Sequence, residues 1–251
     1  MDIKIYDKLA KKYDLATKIV SFGIEELWRW MFKREIKKHI KNGVLLDVAS
    51  ATGEMARVMD FDKMYLIEPS SEMVKVIVEK FEKEGYKKEN FEVVFQERPH
   101  IKMKKGKKEV IIIQDTAENV KLEEKADLIT AFMALRNFDD LKKGIKNLDS
   151  QLKEGGYFAI VEMVKSNSVI AKPILWYMNN IVPLIAGFLV GMKEEYKLLG
   201  KSIDSLKEEE ILKNFEKYEI IKKQKLIFPI ATMIIMRKDE KDTKRKNNGQ
   251  D

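Results

Sequence analysis

GVLLDVASATGEMA (residues 43–56) and MYLIEPSSEMV (64–74) are the two stretches that decide the fold. Each opens on a short apolar run and reaches an acid, Asp47 in the first and Glu68 in the second, 21 residues apart. Apolar runs of this kind, without polar alternation, are strands buried on both faces, as in a parallel sheet. The second leads into SSEMVKVIVEKFEKEG (70–85), a helix capped by Ser70 or Ser71. In open α/β sheets ligands bind beyond the carboxyl ends of the strands, which is where both acids fall. An acid closing the second strand can accept hydrogen bonds from both hydroxyls of a ribose. Between the acids, Val48 to Glu54 is a turn of small residues that lets a ligand approach the backbone closely. It lacks the G-x-G-x-x-G spacing that cradles a pyrophosphate. A nucleoside ligand without phosphates, such as S-adenosyl-L-methionine, therefore fits better than a dinucleotide.

The alternation of strand and helix continues outward. EVIIIQD (109–115), ADLITAF (126–132) and GGYFAIVEMV (155–164) read as further strands. FDDLKKGIKNLDSQLKEGG (138–156) reads as an amphipathic helix closed by Gly155 and Gly156. KYEIIKKQKLIF (217–228) and ATMIIMRK (231–238), joined by Pro229, are close enough to form an antiparallel edge. The expected fold class is α/β: a seven-stranded, mostly parallel sheet with an antiparallel edge strand, N-terminal helices and a helical lid insertion. Residues 1–41 are expected to be helical, with Leu27, Trp28, Met31, Phe32, Ile36 and Ile40 on one stripe. Residues 86–108 are expected to be a long connection containing FEVVF and the basic run IKMKKGKK, a solvated loop by default. VIAKPILWYMNNIVPLIAGFLVGM (169–192) is long enough to span a bilayer, but Lys172, Pro173, Asn179, Asn180 and Pro183 interrupt it, so it reads as a greasy soluble segment. The start of the chain has five lysines and three acids in its first twenty residues and is not a secretory signal. One domain is expected over 1–237, with a helical cap (1–42) and lid helices (165–206), followed by a disordered charged tail (238–251).

Composition narrows the chemistry. The 251 residues include no cysteine, which excludes disulfides, cysteine-ligated zinc, iron–sulfur clusters and thiolate nucleophiles. The two histidines, His39 and His100, read as surface residues and are too few for a His-rich metal site, so no metal is expected. The net charge of +7 is carried almost wholly by lysines dispersed among acids. That pattern, together with the lack of an N-P-P-Y-like motif after the fourth strand, weighs against a nucleic-acid partner.

Several segments carry a family resemblance over nearly the whole chain. YDKLAKKYDLATKIVSFGIEELWRW (6–30), LLDVASATGEMA (45–56), LIEPSSEM (66–73), FMALRNFDD (132–140), LKEGGYFAIVEM (152–163) and YKLLGKSI (196–203) resemble the class I methyltransferases of ubiquinone and menaquinone biosynthesis, the UbiE/MenG family, with its Rossmann-like fold. The resemblance implies S-adenosyl-L-methionine as cofactor. It places Asp47, Ser50, Ala51, Thr52 and Gly53 at the methionine end, Glu68 and Pro69 at the ribose, Asp115, Thr116 and Ala117 beside the adenine, and Phe132 near the sulfonium. Arg136 would stabilise a developing phenolate, and Asn137 would orient it; the alternative for Arg136 is a structural ion pair with Asp139 or Asp140. The implied acceptor is a small apolar molecule, a prenylated quinol above all, and the implied location is the cytoplasm, with peripheral membrane contact. Where the family has paired glycines this chain has Ser50 and Ala51. Two alternatives therefore stand beside the quinol enzyme: a cofactor-weak binding or scaffold protein in lipid synthesis, and a methyltransferase for a non-quinone small molecule.

Overall fold

The computed structural model describes residues 3–89, 93–95, 98–166, 168–191, 193, 196–197, 206–226 and 230–240. Three helices come first, Ile3–Leu9 (α1), Tyr13–Val20 (α2) and Ile24–Ile36 (α3). Val44–Val48 (β1), Glu54–Met59 (α4), Lys63–Ile67 (β2) and Ser71–Lys83 (α5) follow. Next are Lys87–Lys88 (β3), Val93–Phe95 (β4), Arg98–Lys105 (β5), Lys108–Ile113 (β6) and Ala126–Phe132 (β7). Leu141–Gln151 (α6), Leu152–Met163 (β8), Ala171–Asn180 (α7) and Val182–Val190 (α8) lead to Glu208–Leu212 (α9), Tyr218–Lys225 (β9) and Ala231–Lys238 (β10).

Among the described residues the sheet order is β3-β5-β6-β2-β1-β7-β8-β10-β9, with β4 paired to β5. The strands from β6 to β8 are parallel, and β10 and β9 close one side as an antiparallel hairpin. Strand order reverses at β1, whose neighbours are β2 and β7, so a crevice opens beyond its carboxyl end. All five residues of β1 are buried because alternate side chains meet different helical layers. Leu45 joins Trp28, Phe32 and Ile36 of α3 and Ile77 and Phe81 of α5 on one face. Leu46 and Val48 join Ile145 and Leu148 of α6 and Ile211 of α9 on the other. Burial of a large apolar side chain contributes about 1.5–3 kcal/mol, so the Trp28–Phe32–Ile36 stripe is enough to anchor α3 across the sheet. Leu27, expected on that stripe, is instead 39% exposed.

The N-terminal helices turn sharply where Phe22 and Gly23 both take left-handed φ values (51° and 74°). Helix α5 is capped as expected, with Ser70 Oγ accepting from the Met73 N–H at 3.1 Å. The greasy segment forms two helices, α7 and α8, that break at Ile181 ahead of Pro183, and no helix among the described residues is long and apolar enough to cross a membrane.

Four further expectations need correction. The segment 86–108 is not a loop: it holds β3, β4 and β5, and β5 pairs antiparallel with β6 around a turn at Gly106 (φ 59°). Its lysines mask an alternating strand in which Met103 is fully buried, while Lys102 and Lys104 pair with Glu109 and Glu89. His100, read as a surface residue, lies on that strand and is buried. Gly155 and Gly156 do not close α6; the helix stops at Gln151, and β8 begins at Leu152. Strand β10 also runs through Lys238, where the charged tail is expected to begin, because Lys238 is held by Asp149 and Glu154. The rest of that tail from 241, Pro229, residues 198–203 of YKLLGKSI, and Phe91 and Glu92 lie outside the described residues.

Candidate functional site

Asp47 and Glu68 come together at the carboxyl ends of β1 and β2, both almost completely buried. Asp47 Oδ1 accepts from Thr130 Oγ1 at 2.7 Å, and the Asp47 backbone carbonyl accepts from Ser50 Oγ at 2.8 Å. Its other oxygen, Oδ2, is buried without a partner. Burial pushes the Asp47 carboxyl up to about 6, against the pull of the Thr130 hydroxyl. Glu68 accepts from the Ala51 N–H at 2.8 Å through Oε2 and from the Ser70 N–H at 2.9 Å through Oε1. Burial outweighs those bonds and pushes Glu68 up to about 7.

The connecting turn is held open by backbone geometry more than by side chains. Ala49 and Ala51 both sit at left-handed φ (52° and 48°), followed by Gly53 at 78°. A Cβ in that region costs about 1–2 kcal/mol, so two alanines here store strain that glycines would not. Ser50 donates its N–H to the Ile67 carbonyl at 3.0 Å, and Gly53 donates to the Ser50 carbonyl at 2.7 Å. Thr52 faces the helical cap, where its Oγ1 donates to Asp14 Oδ1 at 2.5 Å. Asp115, Thr116 and Ala117 follow β6 and, with Pro69, Ala49 and Ile3, bound a small cavity of about 30 Å³.

At the end of β7, Phe132 lies 6.0 Å from the ring of Phe32. Arg136 and Asn137 form the single-turn helix Leu135–Asn137 just beyond it. Arg136 is buried and ion-paired with Glu162, which is itself fully enclosed and also accepts the Leu135 N–H at 2.7 Å. The structural partner of Arg136 is therefore Glu162, not Asp139 or Asp140. Its Nε is buried without a partner. Asn137 Oδ1 accepts from the Tyr6 hydroxyl of α1 at 3.2 Å. Burial raises the Tyr6 and Tyr13 hydroxyls, with Arg136 acting against it in both.

The site as a whole suits a nucleoside that carries an amino-acid end. Asp47 Oδ2 is an orphaned buried acceptor that suits an ammonium, Glu68 is a second buried acid at the neighbouring strand end, and Ala117 lines the small cavity beside them. The sequence model of the ubiE/COQ5 methyltransferase family matches residues 3–233. The chain belongs to that family. It is similar to the demethylmenaquinone methyltransferase of Chlorobaculum tepidum, 28% identical over 86% of this chain and 84% of that protein. It is also similar to the ubiquinone/menaquinone biosynthesis C-methyltransferase UbiE of Campylobacter jejuni, 26% identical over 94% of this chain and 97% of that protein. Among solved structures, an S-adenosylmethionine-dependent methyltransferase from Clostridium acetobutylicum superposes with a TM-score of 0.58 at 15% identity, covering 91% of this chain and 98% of the other. A SAM-dependent methyltransferase from Thermotoga maritima gives 0.58 at 14% identity over 94% and 99%. These likenesses establish the α/β methyltransferase fold, and membership of the ubiE/COQ5 family brings S-adenosylmethionine as cosubstrate.

In this ubiE/COQ5 methyltransferase the sequence reading assigned no site role to Thr130, Glu162, Tyr6, Glu25 or Arg29. Two of them carry a visible signal: Thr130 and Glu162 are polar residues inside otherwise apolar strands, ADLITAF and YFAIVEM. A polar side chain in such a place must find a partner, and each does. Tyr6, Glu25 and Arg29 carry no such mark, because their burial depends on how the cap folds over the crevice.

Proposed function

We propose that this methyltransferase transfers a methyl group to a ring carbon of a prenylated quinol. The observation that carries the reading is the buried Arg136, paired to Glu162 and adjoining Asn137, beside Phe132 at the mouth of the β1–β7 crevice. S-adenosylmethionine, when bound, supplies a methyl on a sulfonium that is displaced in line. Asp47 would accept the ammonium of its amino-acid end, Glu68 the ribose hydroxyls, and Asp115, Thr116 and Ala117 would border the base. Arg136 stays protonated and would hold the negative charge that develops on a quinol oxygen as the adjacent carbon becomes nucleophilic. Asn137 would orient that oxygen, and Phe132 would keep water from the reacting atoms. The names of the Chlorobaculum and Campylobacter relatives support the quinol as acceptor.

The tail of such an acceptor needs an apolar path. Helix α8 packs on α2, and Tyr177 of α7 stacks on Phe22 at 5.9 Å, so cap and lid share one surface. Trp176 (61% exposed) and Phe188 (90%) present apolar side chains there, and Lys172 lies on the same helix as Trp176. This surface suits peripheral contact with a membrane, from which a lipid-soluble quinol would be taken.

The test is incubation of the purified chain with methyl-deuterated S-adenosylmethionine and reduced demethylmenaquinone in lipid vesicles, read by mass spectrometry. A quinol heavier by one deuterated methyl on a ring carbon is expected. Cofactor binding with no label in any quinol would overturn the acceptor assignment. The left-handed Ala49 and Ala51 favour a second reading, a family member that binds its cofactor weakly and serves as a binding protein. Absence of S-adenosylhomocysteine binding at high micromolar concentration would select it.

A further inference from the structure

Arg29 stands on the inner side of α3, immediately after the buried Trp28, with its Cζ 5.4 Å from the centre of the Phe132 ring. Its guanidinium pairs with Glu25 one turn earlier, and both side chains are largely enclosed (15% and 17% exposed). Phe132 is two residues beyond Thr130, which is hydrogen-bonded to Asp47, and side chains two apart share a face of the strand. Arg29 therefore lies over the same face of the sheet as Asp47 and acts on the Asp47 carboxyl through its charge. The arrangement is a buried anion with one oxygen lacking a partner, and near it a buried cation stacked on an aromatic ring.

An α-amino acid carries an ammonium and a carboxylate on the same carbon. A site that reads both must offer an anion and a cation within a few ångströms of each other, away from bulk water. Asp47 alone reads only the ammonium. A lone lysine would serve as a point charge, whereas the planar guanidinium matches a carboxylate with two parallel donors. Phe132 would fix the plane of that fork by stacking beneath it. Glu25 keeps the guanidinium paired while no carboxylate is present, so its burial is compensated in the empty state.

We propose that Arg29, positioned by Glu25 and Phe132, binds the carboxylate of the cofactor's amino-acid end, opposite Asp47 at the ammonium. This rests on the assignment of the β1–β2 crevice to the cofactor. It adds a binding residue from the helical cap to a site otherwise drawn from strand ends. The cap then becomes part of the cofactor site and not merely its cover.

The experiment is calorimetry on the full chain with S-adenosylhomocysteine, its decarboxylated analogue and 5′-methylthioadenosine, which lacks the whole amino-acid end. The unaltered protein should bind S-adenosylhomocysteine at least about tenfold more tightly than the decarboxylated analogue, as expected for a charge-assisted contact. Arg29→Met should weaken S-adenosylhomocysteine by about 10- to 100-fold while leaving 5′-methylthioadenosine within about twofold. Arg29→Lys should fall between. Equal binding of S-adenosylhomocysteine and its decarboxylated analogue by the unaltered protein overturns the proposal without any variant, so a misfolded Arg29→Met does not protect it. Equal loss of all three ligands in a folded Arg29→Met also overturns it. If the unaltered protein binds none of the three, the cofactor assignment itself fails, a different outcome from failure of the clamp.

Discussion

Lowering the pH from 8 to 6 should weaken cofactor binding by about twentyfold, and the cause lies in two buried carboxyls. Asp47 is pushed up to about 6 and Glu68 up to about 7, in both cases chiefly by burial. In the proposed roles, pairing with an ammonium and accepting from both ribose hydroxyls, the two carboxyls bind at full strength only when ionised. At pH 6 about half of Asp47 and about a tenth of Glu68 are ionised, so both are together in about 5% of molecules; at pH 8 they are in about 90%. Apparent affinity scales with the competent fraction, which gives the twentyfold change, or about 1.8 kcal/mol. Stability of the ligand-free protein should move the other way. Folded-state values above the unfolded ones, near 4, mean that the folded chain binds more protons. The pair's contribution to stability is therefore full below about pH 4 and is lost as pH rises through 6 and 7. The assay is calorimetric titration with S-adenosylhomocysteine at half-unit steps from pH 6 to 8, in buffers of differing ionisation enthalpy to count released protons. Glu68→Gln should flatten the upper part of the profile, which ties the effect to this carboxyl. An affinity constant within twofold across the range, or one that tightens toward pH 6, would refute the reasoning.

Other outcomes follow from the same geometry. Glu162→Gln should destabilise the fold by about 3–5 kcal/mol in urea titrations, because it leaves the buried Arg136 charge uncompensated. Ala51→Gly should stabilise by about 0.5–1 kcal/mol, the left-handed strain at φ 48° less the added freedom of glycine in the unfolded chain, and Ala51→Val should do the reverse; melting temperature decides. Asp140→Ala should cost about 1 kcal/mol, since Asp140 Oδ1 caps α6 by accepting from the Lys143 N–H at 2.9 Å.

The parallel core was legible because its strands are short apolar runs with no competing periodicity. VLLDV and KMYLI, each followed by a helix, leave little other choice. The acids closing them could be read as ligands of a nucleoside because the positions of strand ends follow from the alternation. The extra strands at 87–105 were hidden for an electrostatic reason: lysines at 102 and 104 look like a solvated run until Glu109 and Glu89 are seen beside them. Glu162 and Arg136 illustrate the same limit. One is 26 residues from the other, and the pairing exists because β8 lies next to β7 in the sheet, an adjacency that neither segment states. How the cap packs over the crevice, through Tyr6, Asp14 and Arg29, was out of reach for local patterns. A helix shows which of its faces is apolar, but not which crevice its few polar side chains will enter.

Hydrogen bonds that fasten the cap to the rim include Tyr6 to Asn137, Asp7 to Ser70 at 2.6 Å and Asp14 to Thr52, with the Lys80–Asp14 ion pair beside them. Ile3 of α1 lines the pocket beside Asp115, Thr116 and Ala117, so the helix that these bonds fasten lies at its rim. A ligand that enters beneath α1 would wait for these bonds to part. Its association should be first order at high concentration, with a plateau rate equal to that of cap opening and independent of how tightly the opened crevice binds. These bonds, with the apolar packing of Leu9, Ala10 and Val20 against Met73, would set that clock separately from the chemistry proposed at Arg136.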